Sequence, residues 1–203
     1  MKRWLVRILA AVGALALTLL IAAGIYFAAV VRGGFAARDQ PSALEARLAR
    51  AARSLAVPAR AKSLKNPLPA SDEVIARGRH HWADHCALCH ANDGSGDTPI
   101  GRNLYPKAPD MRAAATQGLS DGELYYIIEN GIRLSGMPAW GERAREDDED
   151  SWALVAFIRH LPKLGPDEVR KMEALNPKSA EDKQEEEQEE NFLGGGSSNP
   201  QPH

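Results

Sequence analysis

Cys86-Ala87-Leu88-Cys89-His90 is the stretch whose reading decides the fold. Two thiols at positions i and i+3 can each close a thioether with a haem vinyl group, and the histidine that follows can offer its imidazole to the iron. The 203-residue chain has only these 2 cysteines, so neither has a rival use elsewhere. A zinc site would want four ligands, and no second Cys or His pair stands at zinc spacing. A thioredoxin-like thiol pair would want a strand–helix–strand setting, which the pattern does not offer.

Upstream of the motif, Ser71 can cap a first helix, with Asp72 and Glu73 at its positive end. Val74, Gly78 and Trp82 recur every four residues, and one further step reaches Cys86, so the cysteines are expected to hang from that helix. A glycine in mid-helix costs about 1 kcal/mol, which points to a close helix crossing at Gly78.

Downstream, residues 91–118 read as a long loop punctuated by Gly94, Gly96, Pro99, Gly101, Pro106 and Pro109. A loop of that length wants something to organise it, and the edge of a haem would serve. An iron-bound histidine normally donates its other ring N–H to a carbonyl, here that of Pro106 or a neighbour. Ser120 to Glu123 is a capping box, stapled by Leu119 and Leu124, and its helix should stop at Asn130-Gly131. Ser135-Gly136-Met137-Pro138-Ala139-Trp140 follows, 47 residues past His90 at its methionine. Proline after Met137 and glycine before it fix the backbone and permit close approach, so the thioether reads as an iron ligand rather than a gap-filling core side chain. A last helix is expected to begin in the acidic run 146–150, bury Leu154, Phe157, Ile158 and Leu161, and end at Pro162.

The rest of the chain divides by charge and composition. Residues 8–31 hold no charge, about 36 Å if helical, enough to cross a hydrocarbon core of about 30 Å. Lys2, Arg3 and Arg7 precede this run. It reads as a transmembrane anchor after a cytoplasmic stub at 1–7; the rival is a signal peptide cleaved near Ala22-Ala23-Gly24, but the apolar run continues past that point. Residues 32–70 carry +6 and read as a basic linker, with an r.m.s. reach of roughly 34 Å if a flexible coil. Alternatively, Leu44, Leu48 and Leu55 interleaved with Arg47, Arg50 and Arg53 form an amphipathic helix, solvated or on anionic lipid. Residues 71–170 carry −6 and hold the packed domain; residues 171–203 carry −5 and read as an acidic disordered tail.

Taken together, these residues resemble a class I cytochrome c, with 71–163 carrying the likeness. In that family a helix bearing Gly and an aromatic four residues later leads into C-x-x-C-H, as Gly78, Trp82 and Cys86 do here. Its last helix packs across the first through a Leu and an aromatic, matched by Leu154 and Phe157. Residues 119–140 are similar to the mono-haem cytochrome c domain of bacterial membranes, whose Gly-Met-Pro loop supplies the sixth ligand. One departure is Ala91, where many relatives have glycine.

The resemblance implies an all-α cytochrome c fold, about three main helices with long loops around one covalent haem c, preceded by a transmembrane helix. It implies Cys86 and Cys89 as attachment points and His90 and Met137 as axial ligands. It also puts the haem domain on the periplasmic side, which charge counting cannot, because Arg32, Arg38, Arg47 and Arg50 crowd the far flank of the anchor. A haem closed on both faces suits a single-electron carrier between donor and acceptor proteins at the membrane, with no enzymatic activity and no nucleic-acid partner. Arg102, Tyr105, Arg133 and Trp140 are candidates to meet the propionates. His80, His81, His85 and His160 read as surface or helix-end residues, with His85 the one rival ligand. Two other functions remain open: a fixed haem subunit of a dehydrogenase or oxidase, and a haem sensor or peroxidase.

Overall fold

The computed structural model describes residues 2–34, 36–141, 148–178, 184 and 188. It is all-helical, with no strand among the described residues. The chain forms two compact units, Met1–Asp39 and the part from Gln40 onward.

The first unit is one helix, α1 (Lys2–Gly33), about 48 Å long at 1.5 Å per residue. It buries no residue, and its length and apolar composition are those of a membrane span or of a signal sequence.

The second unit contains α2 (Ala43–Ala56), α3 (Ala59–Ser63), α4 (Asp72–His81), α5 (Ala87–His90), α6 (Ala114–Gln117), α7 (Asp121–Asn130), α8 (Glu149–His160) and α9 (Pro166–Glu173). Three of these make the frame. Helix α4 starts where the Ser71 side chain accepts a hydrogen bond from the Val74 amide. The start of α7 is the reciprocal capping box of Ser120 and Glu123, and α8 is capped by Asp148. Glu146 and Asp147, also expected in that last helix, lie outside the described residues.

Helices α4 and α8 cross at Gly78. A Cβ there would sit 2.1 Å from the Ala153 carbonyl oxygen and 2.9 Å from the Phe157 Cβ, so only glycine lets the backbones approach this closely. Trp82, Leu154, Phe157 and Leu161 are almost completely buried around the crossing, and the Tyr125 and Trp152 rings stack at 4.1 Å to join α7 to α8. The Arg159 guanidinium ties the end of α8 back to the start of α7. It donates to the Gln117 and Leu119 carbonyls and to Asp121.

The structure differs from the sequence reading in three places. The step from Trp82 to Cys86 is not a fourth regular turn but a π turn, Trp82–Cys86, in which the Ala87 amide donates to the Trp82 carbonyl. Residues 40–70 are not a free coil. Val57 and Ala61 are buried, and α3 crosses α7 where a Cβ on Gly122 would meet the Ala61 carbonyl oxygen at 1.8 Å. The Asn66 amide also donates to the Trp152 carbonyl at 2.8 Å. Finally, a boundary at 170 would cut α9, whose Met172 is fully buried in the core. The contacts of residues 57–66 and of Met172 join residues far apart in sequence, so no local periodicity announces them.

Candidate functional site

The π turn swings the chain so that Trp82, Cys86 and His90 all face one apolar slot. Single π turns inside helices widen the backbone by one residue and are frequent at functional sites. Trp82 fixes the wall by donating its indole N–H to the Ala91 carbonyl at 3.0 Å, and its ring lies 5.7 Å from that of His90. Ala91 pays locally for the arrangement: its φ is +61°, a conformation that L side chains rarely adopt.

The loop 91–118 wraps the motif through named contacts. The Gly96 amide donates to the His90 carbonyl at 2.9 Å and the Met111 amide to the Gly94 carbonyl at 2.7 Å. Asp93 and Asp110 converge on the Arg112 guanidinium at 2.9 Å each. Hydrogen bonds from Ser95 and the Arg112 charge outweigh burial and hold the Asp93 carboxyl below its ordinary range. The bond to Arg112 does the same for Asp110. This bracket carries Pro109 to the edge of His90.

Met137 lines the same slot as His90. Its position is set by a tight loop that returns to the end of α7. The Ile132 amide donates to the Met137 carbonyl at 3.1 Å and the Trp140 amide to the Ile128 carbonyl at 3.0 Å. The Met137 amide donates to the Ser135 hydroxyl at 3.2 Å, and Pro138 fixes the backbone just after it.

Burial sets the chemistry of the three titratable candidates. Burial pushes the His90 imidazole below its ordinary pKa, against the Pro109 carbonyl that favours its charged form. Its Nδ1 is buried and has no hydrogen-bond partner. Burial also pushes the Cys86 thiol up to about 12, with Cys89 adding to it, and raises Cys89 as well. Such thiols stay protonated and are poor disulfide exchangers, whose reactive form is the thiolate. A neutral imidazole and a thioether are, by contrast, ready iron ligands. Outside the slot, Cys86, Cys89, His90 and Met137 also border an open groove of about 520 Å³, within the range of cofactor sites. The four residues and the apolar slot fit a haem.

The sequence profile of the family described as "Cytochrome C oxidase, cbb3-type, subunit III" matches residues 73–158. Cytochrome c6 of Chlorolobion braunii is 35% identical over 78 residues, covering 36% of this chain and 78% of that protein. The chain is a class I c-type cytochrome.

As a member of that family the cytochrome binds haem and carries electrons; it is not an enzyme. Of the residues expected at the propionates, Tyr105 and Trp140 border the groove, whereas Arg102 and Arg133 border neither slot nor groove. Arg102 is bonded to Asp97 instead. His85 also borders the groove. Its ring stacks on His81 at 4.6 Å, lies 5.2 Å from Trp140 and has Asp84 2.9 Å from Nδ1, and it has no place in the slot. Sequence reasoning passed over Arg50 and Arg53, which reach the groove from α2. Their signal was present as a leucine–arginine alternation, but the alternation does not say which face meets the cleft.

Proposed function

We propose that this cytochrome carries single electrons between membrane-associated redox proteins through one haem c, attached to Cys86 and Cys89 and ligated by His90 and Met137. The observation that carries the reading is the convergence of Cys86, His90 and Met137 on one apolar slot. Bound there, haem supplies a one-electron Fe(III)/Fe(II) couple, and thioether ligation favours the higher end of its potential range.

The protein's own work is to hold and exclude. His90 presents its imidazole from α5, with the Pro109 carbonyl near enough to favour its charged form. Met137 presents its sulfur from a loop braced on α7. Trp82, Leu124, Leu154 and Ile158 line the same slot and would keep water from a bound iron. With His90 and Met137 both offered to the iron and the walls braced on α4, α7 and α8, little reorganisation would accompany a change of charge, which suits rapid transfer.

Helix α1 is read as the anchor that keeps the domain at the cytoplasmic membrane, with the haem on its periplasmic side. Donor and acceptor are then proteins in or at the same membrane.

The test uses the full chain in detergent, loaded by a haem-attachment system. A reversible one-electron wave and a ferrous spectrum unchanged by carbon monoxide are expected. A carbon-monoxide adduct of the wild type would move sensing or peroxidase chemistry ahead of electron carriage.

A further inference from the structure

Helix α2 lies outside the residues that the family profile matches, yet it helps to enclose the cleft. Its two faces are used differently. Leu44, Leu48 and Leu55 point to solvent, while Glu45, Ala46, Ala49, Arg50 and Arg53 border the groove. Arg50 and Arg53 are three residues apart and so stand on neighbouring turns of the same side. Arg53 goes further in, as the one Lys or Arg among the residues lining the slot itself.

The surroundings leave these charges without an anion. Neither guanidinium takes part in an ion pair or side-chain hydrogen bond among the described residues. The slot is lined chiefly by Trp, Leu, Ile, Met and Pro. The carboxylate of the groove, Glu45, accepts a hydrogen bond from the Tyr105 hydroxyl at 2.6 Å. Arg50 is exposed and Arg53 half-buried, so both guanidiniums can reach an anion bound in the cleft. Haem brings two carboxylates on one edge of the ring, and guanidinium forks match carboxylates in geometry and charge.

We propose that Arg53, with Arg50 one turn before it, binds the haem propionates, making α2 a part of the cofactor pocket. This rests on the haem reading of the slot. It assigns to a segment expected to be a linker the role that Arg102 and Arg133 were expected to fill. The other titratable groups around the groove are Glu45 on α2, His85 on the π turn, Cys86, Cys89 and His90 of the attachment motif, and Tyr105 and Lys107 on the loop.

The test is the midpoint potential of the full holo-chain as a function of pH, in a His85→Gln background so that this imidazole contributes no inflection. Paired arginines keep carboxylates ionised to lower pH. Arg53→Ala, and more so Arg50→Ala/Arg53→Ala, should lower the midpoint at neutral pH and move the acid-side inflection up by about one pH unit. Arg53→Lys should restore most of the parental curve. If the double variant does not load haem, Arg53→Gln carries the same comparison. Variants that titrate as the parent does, with its methionine-to-iron band intact, would overturn the assignment. A parent that lacks that band contradicts the ligation reading instead, before any arginine is changed.

Discussion

Ala91 concentrates the local strain of the attachment motif. Its φ of +61° follows directly on His90, and its carbonyl holds the Trp82 indole. A non-glycine residue in so sparse a region costs about 1–3 kcal/mol, of which glycine's extra unfolded-state entropy cancels up to about 1. Ala91→Gly should therefore stabilise the holo-protein by about 1 kcal/mol in thermal unfolding, with the visible spectrum unchanged. A lower melting temperature would mean that the strain is absent. The departure was legible in the sequence as an alanine in the place of a glycine. Its backbone conformation was not, because a single residue carries no periodicity.

At the scale of elements, Gly78 joins two helices and the Asp93–Arg112–Asp110 bracket holds a loop. Gly78→Ala would gain about 1 kcal/mol of helix propensity but overpack the crossing by about 3 kcal/mol. The expected result is a net loss of about 2 kcal/mol by denaturant titration. The bracket predicts a pH dependence. Both carboxyls are held below their ordinary values, so their stabilisation is present above about pH 4 and is lost as pH falls through the folded values. Arg112→Gln should thus be less stable than wild type at pH 7, and the difference should shrink below about pH 4. A difference that is constant with pH would remove the ion bracket from the account. The helix starts at Ser71 and Ser120 and the crossing at Gly78 were readable because caps and mid-helix glycines are local signals. The π turn was not, since Trp82-Ala83-Asp84-His85-Cys86 satisfies a regular helical stripe equally well.

For the whole molecule, the main revision concerns residues 40–63, which pack on the domain instead of tethering it. Their composition suggested a linker because leucines alternate with arginines and the core face is made of Ala and Val, too small to stand out. Ala61 lies against α7 at Gly122, so Ala61→Glu should destabilise the domain by about 2 kcal/mol or more through buried charge and overpacking. Trypsin should cut at Arg53 and Arg60 much more slowly in the native holo-protein than in a denatured control. Equal rates would return the segment to a free coil.

The central claim is that His90 and Met137 close one haem from both faces, and the near-infrared spectrum of the ferric full chain tests it most directly. A methionine-to-iron charge-transfer band in the wild type that disappears in Met137→Ala is the predicted result. A wild-type spectrum that is high-spin, or a band that survives the substitution, would contradict it.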